Sequence, residues 1–366
     1  MARRGGFASS EVQISETETP LHRLETVYRR LVENLSTSDT RLGALRSIVD
    51  GWFYTLEEEV LQCSEISMPD EAYLLERTNI LMERRLEQVT RQAPAFAACL
   101  RGYRGALAEG DKEIAEGLLA WLSGLPNVSA RIKRKAGIKG DLDHFGALSF
   151  LGGLLTVLRD SGHSGLVLVL DEVETLQRVR GDVRDKGLNA LRQFMDEVES
   201  GRFPGLYLLV TGTPAFFDGP NGVQRLPPLA QRLHVDFTTD VRFDNPRAVQ
   251  IRLSGFDLEK LMEVGAKVRD IYAAHCANAD RIREVADDPY LNDLARAVTG
   301  ELGGKVGVAP RVFLKKLVAD VLDRIDQFPE FDPRQHYALT VSDAELTEVE
   351  RNARGASSVD EIELDL

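Results

Sequence analysis

The chain has 366 residues, 43% of them hydrophobic and 28% charged, and carries a formal charge of −13 at pH 7. That length and balance suit two folded units with sizeable cores and exclude a disordered or fibrous chain. The acidic excess argues against whole-surface attraction to nucleic acid or anionic membrane and leaves room only for a local basic patch. No apolar run reaches the ~18 residues of a membrane-spanning helix, and no apolar leader is read at the start, so the expectation is a cytoplasmic protein. Cys63, Cys99 and Cys276 lie far apart without metal-binding spacing and read as free thiols, each a small buried hydrophobe.

Phe7–Ile14 reads as a short strand closed by the polar turn Ser15–Thr19. Pro20 opens a helix whose Leu21, Leu24, Val27, Tyr28, Leu31 and Leu35 share one face. From Asp39 to about Leu122 nearly everything is helical: Leu42–Leu61 with Trp52 and Phe53, Ala72–Val89, a helix opened by Pro94, and Ile114–Leu122 with Trp121. This stretch holds no catalytic constellation and reads as a helical insert or a partner surface. Arg131-Ile132-Lys133-Arg134-Lys135 is the most basic run. A phosphate or nucleic-acid contact there competes with the plainer reading of an exposed loop. Leu148, Leu151, Leu154, Leu155 and Leu158 form the stripe of a helix stopped by Ser161–Gly165. His144 and His163 at its ends read as turn or capping residues.

The stretch Leu166–Thr175, LVLVLDEVET, organises the chain. Its valine-rich apolar run reads as a strand buried on both faces of a parallel sheet. It ends on Asp171 and Glu172, and acids at the carboxyl end of such a strand face the crevice where these sheets bind ligands. The pair suits a magnesium-holding aspartate followed by a glutamate that polarises an attacking water. Taken alone, it reads rather as a strand ending in a solvated acidic turn, because apolar runs followed by DE are common. After a charged, loop-like Gln177–Lys186 and a helix over Leu188–Val198, a second strand, Leu206–Val210, ends in Thr211-Gly212-Thr213-Pro214. This alternation builds a parallel sheet. A loop at Phe216–Pro228, a short helix at Leu229–Leu233 and a strand-like His234–Phe237 follow. Arg247–Leu253, Leu258–Ala274, Pro289–Val298 and Pro310–Ile325 then read as the helices of an all-α domain. Residues 341–366 carry eight acids against two arginines and read as a loosely ordered tail.

Strand-DE, helix, strand-Thr, an arginine on a short helix and a helical C-terminal part together resemble AAA+-type P-loop ATPases. The closer resemblance is to the ATP-binding proteins of BREX phage-defence systems, the BrxD-like group. It is carried by PLHRLETVYRRLV (Pro20–Val32), GLVLVLDEVETLQRVR (Gly165–Arg180), GLYLLVTGTPAFF (Gly205–Phe217) and GVQRLPPLAQRL (Gly222–Leu233), and spans about residues 7–325. The resemblance implies an α/β fold with a parallel-sheet, AAA+-like P-loop NTPase core over residues 1–245. The helical insert at about 39–122 belongs to that core; an all-α lid over 246–330 and an acidic tail over 331–366 follow. It implies an ATPase regulator or motor of the defence system, with ATP and Mg2+ as cofactors. Other BREX proteins are the implied partners, with DNA and further copies of the chain as possible associates and no membrane. Asp171 would be the Walker B magnesium acid, Glu172 the acid orienting the lytic water, and Glu174 an extra polar contact. Thr211 or Thr213 would be the sensor at the neighbouring strand tip, Arg232 a finger acting on a neighbouring subunit, and Arg311 a nucleotide-sensing arginine of the lid. The plainer readings are turn residues before Pro214, a surface salt bridge for Arg232 and a solvent-facing helix start for Arg311.

One departure stands against these matches. No GxxxxGK[ST] occurs, and the nearest fragment, Gly300–Val306, has the wrong spacing and falls in the lid stretch. A phosphate cradle needs consecutive backbone N–H groups at a helix start, a lysine, and a hydroxyl on the magnesium. In the family it precedes the strand resembling Phe7–Ile14. The expectation is therefore a truncated chain without its Walker A segment and impaired in nucleotide binding. The competing reading is a non-catalytic interaction or DNA-associated subunit. No HExxH, GxSxG or His/Cys cluster supports another hydrolase chemistry.

Overall fold

The computed structural model describes residues 2–63, 71–253, 255–299 and 310–338. The tail expected over 341–366 and the fragment Gly300–Val306 lie outside them. The chain divides into two compact units, Met1–Leu233 and His234–Leu366.

The helices of the first unit are α1 (Leu24–Glu33), α2 (Leu45–Cys63), α3 (Glu71–Arg85), α4 (Glu87–Gln92), α5 (Pro94–Ala108), α6 (Lys112–Leu122), α7 (Ala130–Lys135), α8 (His144–Asp160), α9 (Gly181–Glu199), α10 (Pro214–Asp218) and α11 (Pro227–Leu233). Their starts follow local chemistry. Pro94 and Pro214 occupy first-turn positions where the missing N–H costs nothing. The Asp111 and Asp143 carboxylates accept the amides of Ile114 and Gly146. Trp52, Phe96, Leu100, Tyr103 and Leu118 of the 39–122 stretch are buried in the same core as the strands. Tyr28, Phe96 and Trp121 pack edge-on around the Phe150 ring of α8.

Among the described residues one three-stranded sheet forms: β1 (Phe7–Gln13), β2 (Gly165–Asp171) and β3 (Leu206–Val210), in the order β1-β2-β3. Both pairs are parallel, with Gln13 opposite Asp171 and Leu170 opposite Val210. The apolar run of β2 takes the central position, but the expected burial on both faces is not met: among the described residues Val167 and Val169 on its second face are only partly buried. Period-two alternation sends Ala8, Ser10, Val12, Leu166, Leu168 and Leu170 to a fully buried face. There Leu24, Val27, Leu31, Leu148, Leu151 and Phe194 gather over Leu168. The opposite face is open. Glu11 and Gln13 are exposed, Tyr207 is 61% exposed and Leu209 42%.

The two sheet edges differ. Ser9 and Ser36 exchange backbone hydrogen bonds of 2.9 Å, closing the outer side of β1. The β3 edge pairs with no further strand among the described residues. Gly205 and Thr211 bond back to β2, so the amides of Leu208 and Val210 point to the open edge.

Several expectations are corrected. The charged stretch 177–186 is a loop only over Arg178–Arg180: a 3-10 turn over Val173–Gln177 precedes it, and α9 starts at Gly181. The basic run is a short helix, α7, anchored by buried Ile132 and capped by Ser129. Arg131, Lys133 and Lys135 pair with Glu113, Asp141 and Glu109, so its charge is largely met within the chain. α10, which starts at Pro214, runs into the loop expected at Phe216–Pro228. Cys63 is exposed and Cys276 partly so, while Cys99 is buried and donates to the Leu118 carbonyl.

In the second unit, α12 (Leu258–Ala273), α13 (Ala279–Val285), α14 (Asp288–Thr299) and α15 (Pro310–Lys315) enclose Leu261, Tyr290, Leu291, Leu294 and Phe313. Helical structure continues from α15 through Gln327. Neither the strand expected at His234–Phe237 nor the helix expected at Arg247–Leu253 forms. Instead the Arg252 guanidinium gathers the segment, donating to the Phe237 and Thr239 carbonyls and to both Asp244 oxygens. Val249, Ile251 and Leu253 face outward.

Candidate active site at the ends of β2 and β3

Parallel pairing places the carboxyl ends of β2 and β3 side by side, and their first residues past the ladder meet. Asp171 Oδ1 accepts the Thr211 hydroxyl and, at 3.0 Å, the Glu172 amide. The Thr211 amide donates to Leu170 O at 2.9 Å. The sequence motifs DE and TGTP therefore converge on one carboxylate. Its Oδ2 takes part in no hydrogen bond among the described residues.

Glu172 is exposed and adopts the left-handed conformation, φ 57° and ψ 40°. A side chain with a Cβ is held there only where its surroundings fix the backbone, and such residues concentrate at functional sites. Three bonds fix this turn. Val173 N–H reaches Thr211 O at 3.3 Å, Ile14 N–H reaches Asp171 O at 2.8 Å, and the Thr175 hydroxyl reaches Ile14 O at 3.4 Å. Gly212 allows the strand tips to close: a Cβ there would lie 3.0 Å from Val173 Cγ2.

The other expected residues fall differently. Thr213 is exposed and extended at the start of α10, with its side chain capping nothing. Of the two threonines, Thr211 is the one bonded to the acid. Glu174 carries a buried Oε2 with no hydrogen-bond partner. Arg232 of α11 pairs with Asp196 and, at 3.3 Å, with Glu199, both on α9. Arg311 is exposed in the first turn of α15, in the second unit.

Residues outside the motifs also hold the site. Gln177 Nε2 donates to Ala215 O at 3.0 Å, tying the β2 turn to α10. Arg184 braces the same turn and reaches Asn221. In the sequence these sit inside QRVRGDVRDK, where repeated charges look like solvated surface; no motif marks them.

The donors suit a hard cation: one carboxylate oxygen, a hydroxyl and a neighbouring carboxylate. Among the described residues no three His, Cys, Asp or Glu side chains form a metal-holding group. A cation of the magnesium type needs only one or two carboxylates when waters and phosphates complete its shell. The hydrogen-bond partners of Asp171, Glu172 and Thr211 include no lysine and no glycine-rich helix start, so a phosphate cradle is not part of these contacts.

No helix of the described residues is long and apolar enough to cross a membrane. The family model for BREX system ATP-binding protein BrxC/D matches residues 1–341. No curated protein and no solved structure matches the chain.

Proposed function

Because the chain belongs to the BREX system ATP-binding protein BrxC/D family, we propose that the ends of β2 and β3 are the hydrolytic half of an ATP site in a phage-defence assembly. One observation carries this reading: Asp171 is bonded to Thr211 across two strand tips, and the acid that follows it is held left-handed. Asp171 would hold Mg2+ through its free oxygen, Thr211 would fix that carboxylate, and Glu172 would orient the attacking water. Bound Mg2+–ATP supplies the cleavable anhydride; the chain supplies placement.

The AAA+ assignment, with the second unit as lid and Arg311 as its sensor, belongs to the same proposal. So does Arg232 as a finger in a homo-oligomer, which requires its pairs with Asp196 and Glu199 to open. Other BREX proteins are the proposed partners. The internally paired basic run gives DNA association little support.

The phosphate cradle is the weak part of the site, since no GxxxxGK[ST] is present. A strand added along the open edge of β3 would end beside Thr211, where such a cradle has to lie. The chain as written is therefore proposed to grip nucleotide weakly. A non-catalytic role is favoured instead by the exposed apolar residues Tyr54 and Leu61 of α2 and Ile80 of α3.

Equilibrium binding of a fluorescent ATP analogue with Mg2+ separates the two. The site reading expects saturable binding weakened at least tenfold by Asp171→Ala, with Glu172→Gln retaining binding and losing hydrolysis. Absence of saturable binding at millimolar analogue would leave the non-catalytic role.

A further inference from the structure

Arg184 sits in the first turn of α9, partly buried, behind the DE turn. Its Nε donates to Leu176 O at 3.1 Å, and its Nη2 to Gln177 O at 2.7 Å and Val179 O at 3.1 Å. Its Nη1 donates to Asn221 Oδ1 at 2.7 Å. One planar guanidinium thus serves three carbonyls at the end of the β2 turn and one side chain in the segment after α10.

We infer that Arg184 is a positioning residue that locks the two strand-end segments of the site into one unit. As a statement about hydrolysis it rests on the proposed ATP site; as a statement about coupling it stands by itself. The physical need is specific. The 3-10 turn Val173–Gln177 ends with carbonyls that no helix amide takes up, and α9 begins only at Gly181. Glu172 keeps a conformation that persists only where the surrounding backbone is over-determined. The guanidinium fork has five donors in fixed directions and can satisfy all four acceptors together; a lysine ammonium cannot reproduce that geometry. Gln177, whose own side chain bonds Ala215 O, makes a second tie between the same segments. Arg184 therefore links the placement of Glu172 to that of the segment following Thr211.

The test compares the full chain with Arg184→Ala, Arg184→Lys and, as a control, Arg225→Ala, which removes the neighbouring pair to Asp185. Hydrogen exchange is followed without nucleotide, alongside MgATP kinetics and thermal melts. The expected result for Arg184→Ala is exchange faster by about tenfold in both 172–180 and 214–222, a kcat lower by about tenfold, and a KM within about twofold, as for a misplaced catalytic group. Arg184→Lys recovers only part of this, and Arg225→Ala leaves 172–180 protected. Unchanged exchange in either segment overturns the clamp. Faster exchange with wild-type kcat overturns its role in hydrolysis, as does a kcat loss that merely follows a lowered melting temperature or recurs in Arg225→Ala. A wild-type chain without Glu172-dependent hydrolysis overturns the proposed ATP site, and the exchange data then decide the clamp alone.

Discussion

Glu172 offers a direct measure of how much the site costs the fold. Its left-handed backbone and exposed side chain mean that a carboxylate is kept where glycine would be more stable. Comparing Glu172→Gly with Glu172→Ala isolates the effect, since both remove the side chain beyond Cβ and only one retains Cβ. Left-handed placement of a Cβ costs about 1–2 kcal/mol. Glycine gives back about 0.5–1 kcal/mol through the greater freedom of its unfolded chain. The difference leaves the glycine variant more stable by about 0.5–1 kcal/mol. With a urea slope near 2.5 kcal/mol/M this is a rise of about 0.3 M in midpoint for the first unit. The assay is equilibrium urea unfolding followed by tryptophan fluorescence, as both tryptophans, Trp52 and Trp121, lie in that unit's core. Equal midpoints, or a higher one for alanine, would show that the turn imposes no strain and would refute the argument that Glu172 is held for function.

Three further outcomes follow from packing and charge. Gly153→Ala puts a Cβ 2.7 Å from the Phe96 ring, so it should destabilise the first unit by about 1–3 kcal/mol and lower its melting temperature by several degrees. Burial, with help from the Arg23 and Lys186 cations, lowers the His22 imidazole pKa, while Glu25 opposes and His144 adds to the shift. The unfolded chain then binds the proton more readily, so stability should fall as pH drops below about 6.5 and level off under the folded pKa. His22→Gln should flatten that part of a melting-temperature profile, and an unchanged slope would count against it. The hydrogen bond from Lys133 lowers the Asp141 pKa, a contribution present above about pH 4 and lost as pH falls through the folded value. Lys133→Met should therefore separate from wild type at neutral pH and converge with it near pH 2, measured by chemical unfolding.

The legible parts of the chain were those whose pattern is local. β2 and β3 announced themselves because a short valine- and leucine-rich run bounded by turn residues has few alternatives. Two neighbouring parallel strands bring the TGTP tip beside Asp171, but the sequence leaves Thr211 and Thr213 equal, and only the hydrogen bond to Asp171 singles out Thr211. The misread parts depend on contacts distant in sequence. Residues 177–186 look like solvated surface until Arg184 finds carbonyls on the preceding turn. Arg247–Leu253 reads as a helix, yet Arg252 is spent on Phe237, Thr239 and Asp244, and no helix forms. The basic run left a phosphate contact open beside an exposed loop because its acidic partners approach it only in the fold: Glu109 from the end of α5, Glu113 from α6 and Asp141 from the turn before α8.

The border of β3, which no other strand of the described residues covers, also bears on how the protein behaves in concentrated solution. Its five residues, LYLLV, include neither the lysine nor the proline that commonly discourages strand addition, and Tyr207 and Leu209 flank the free amides. The formal charge of −13 opposes such pairing between copies. That repulsion acts over about 8 Å at physiological ionic strength and about 3 Å in 1 M salt. Self-association should accordingly behave like growth at an unfinished crystal step, slow in dilute buffer and quickening as salt shortens the reach of the charge.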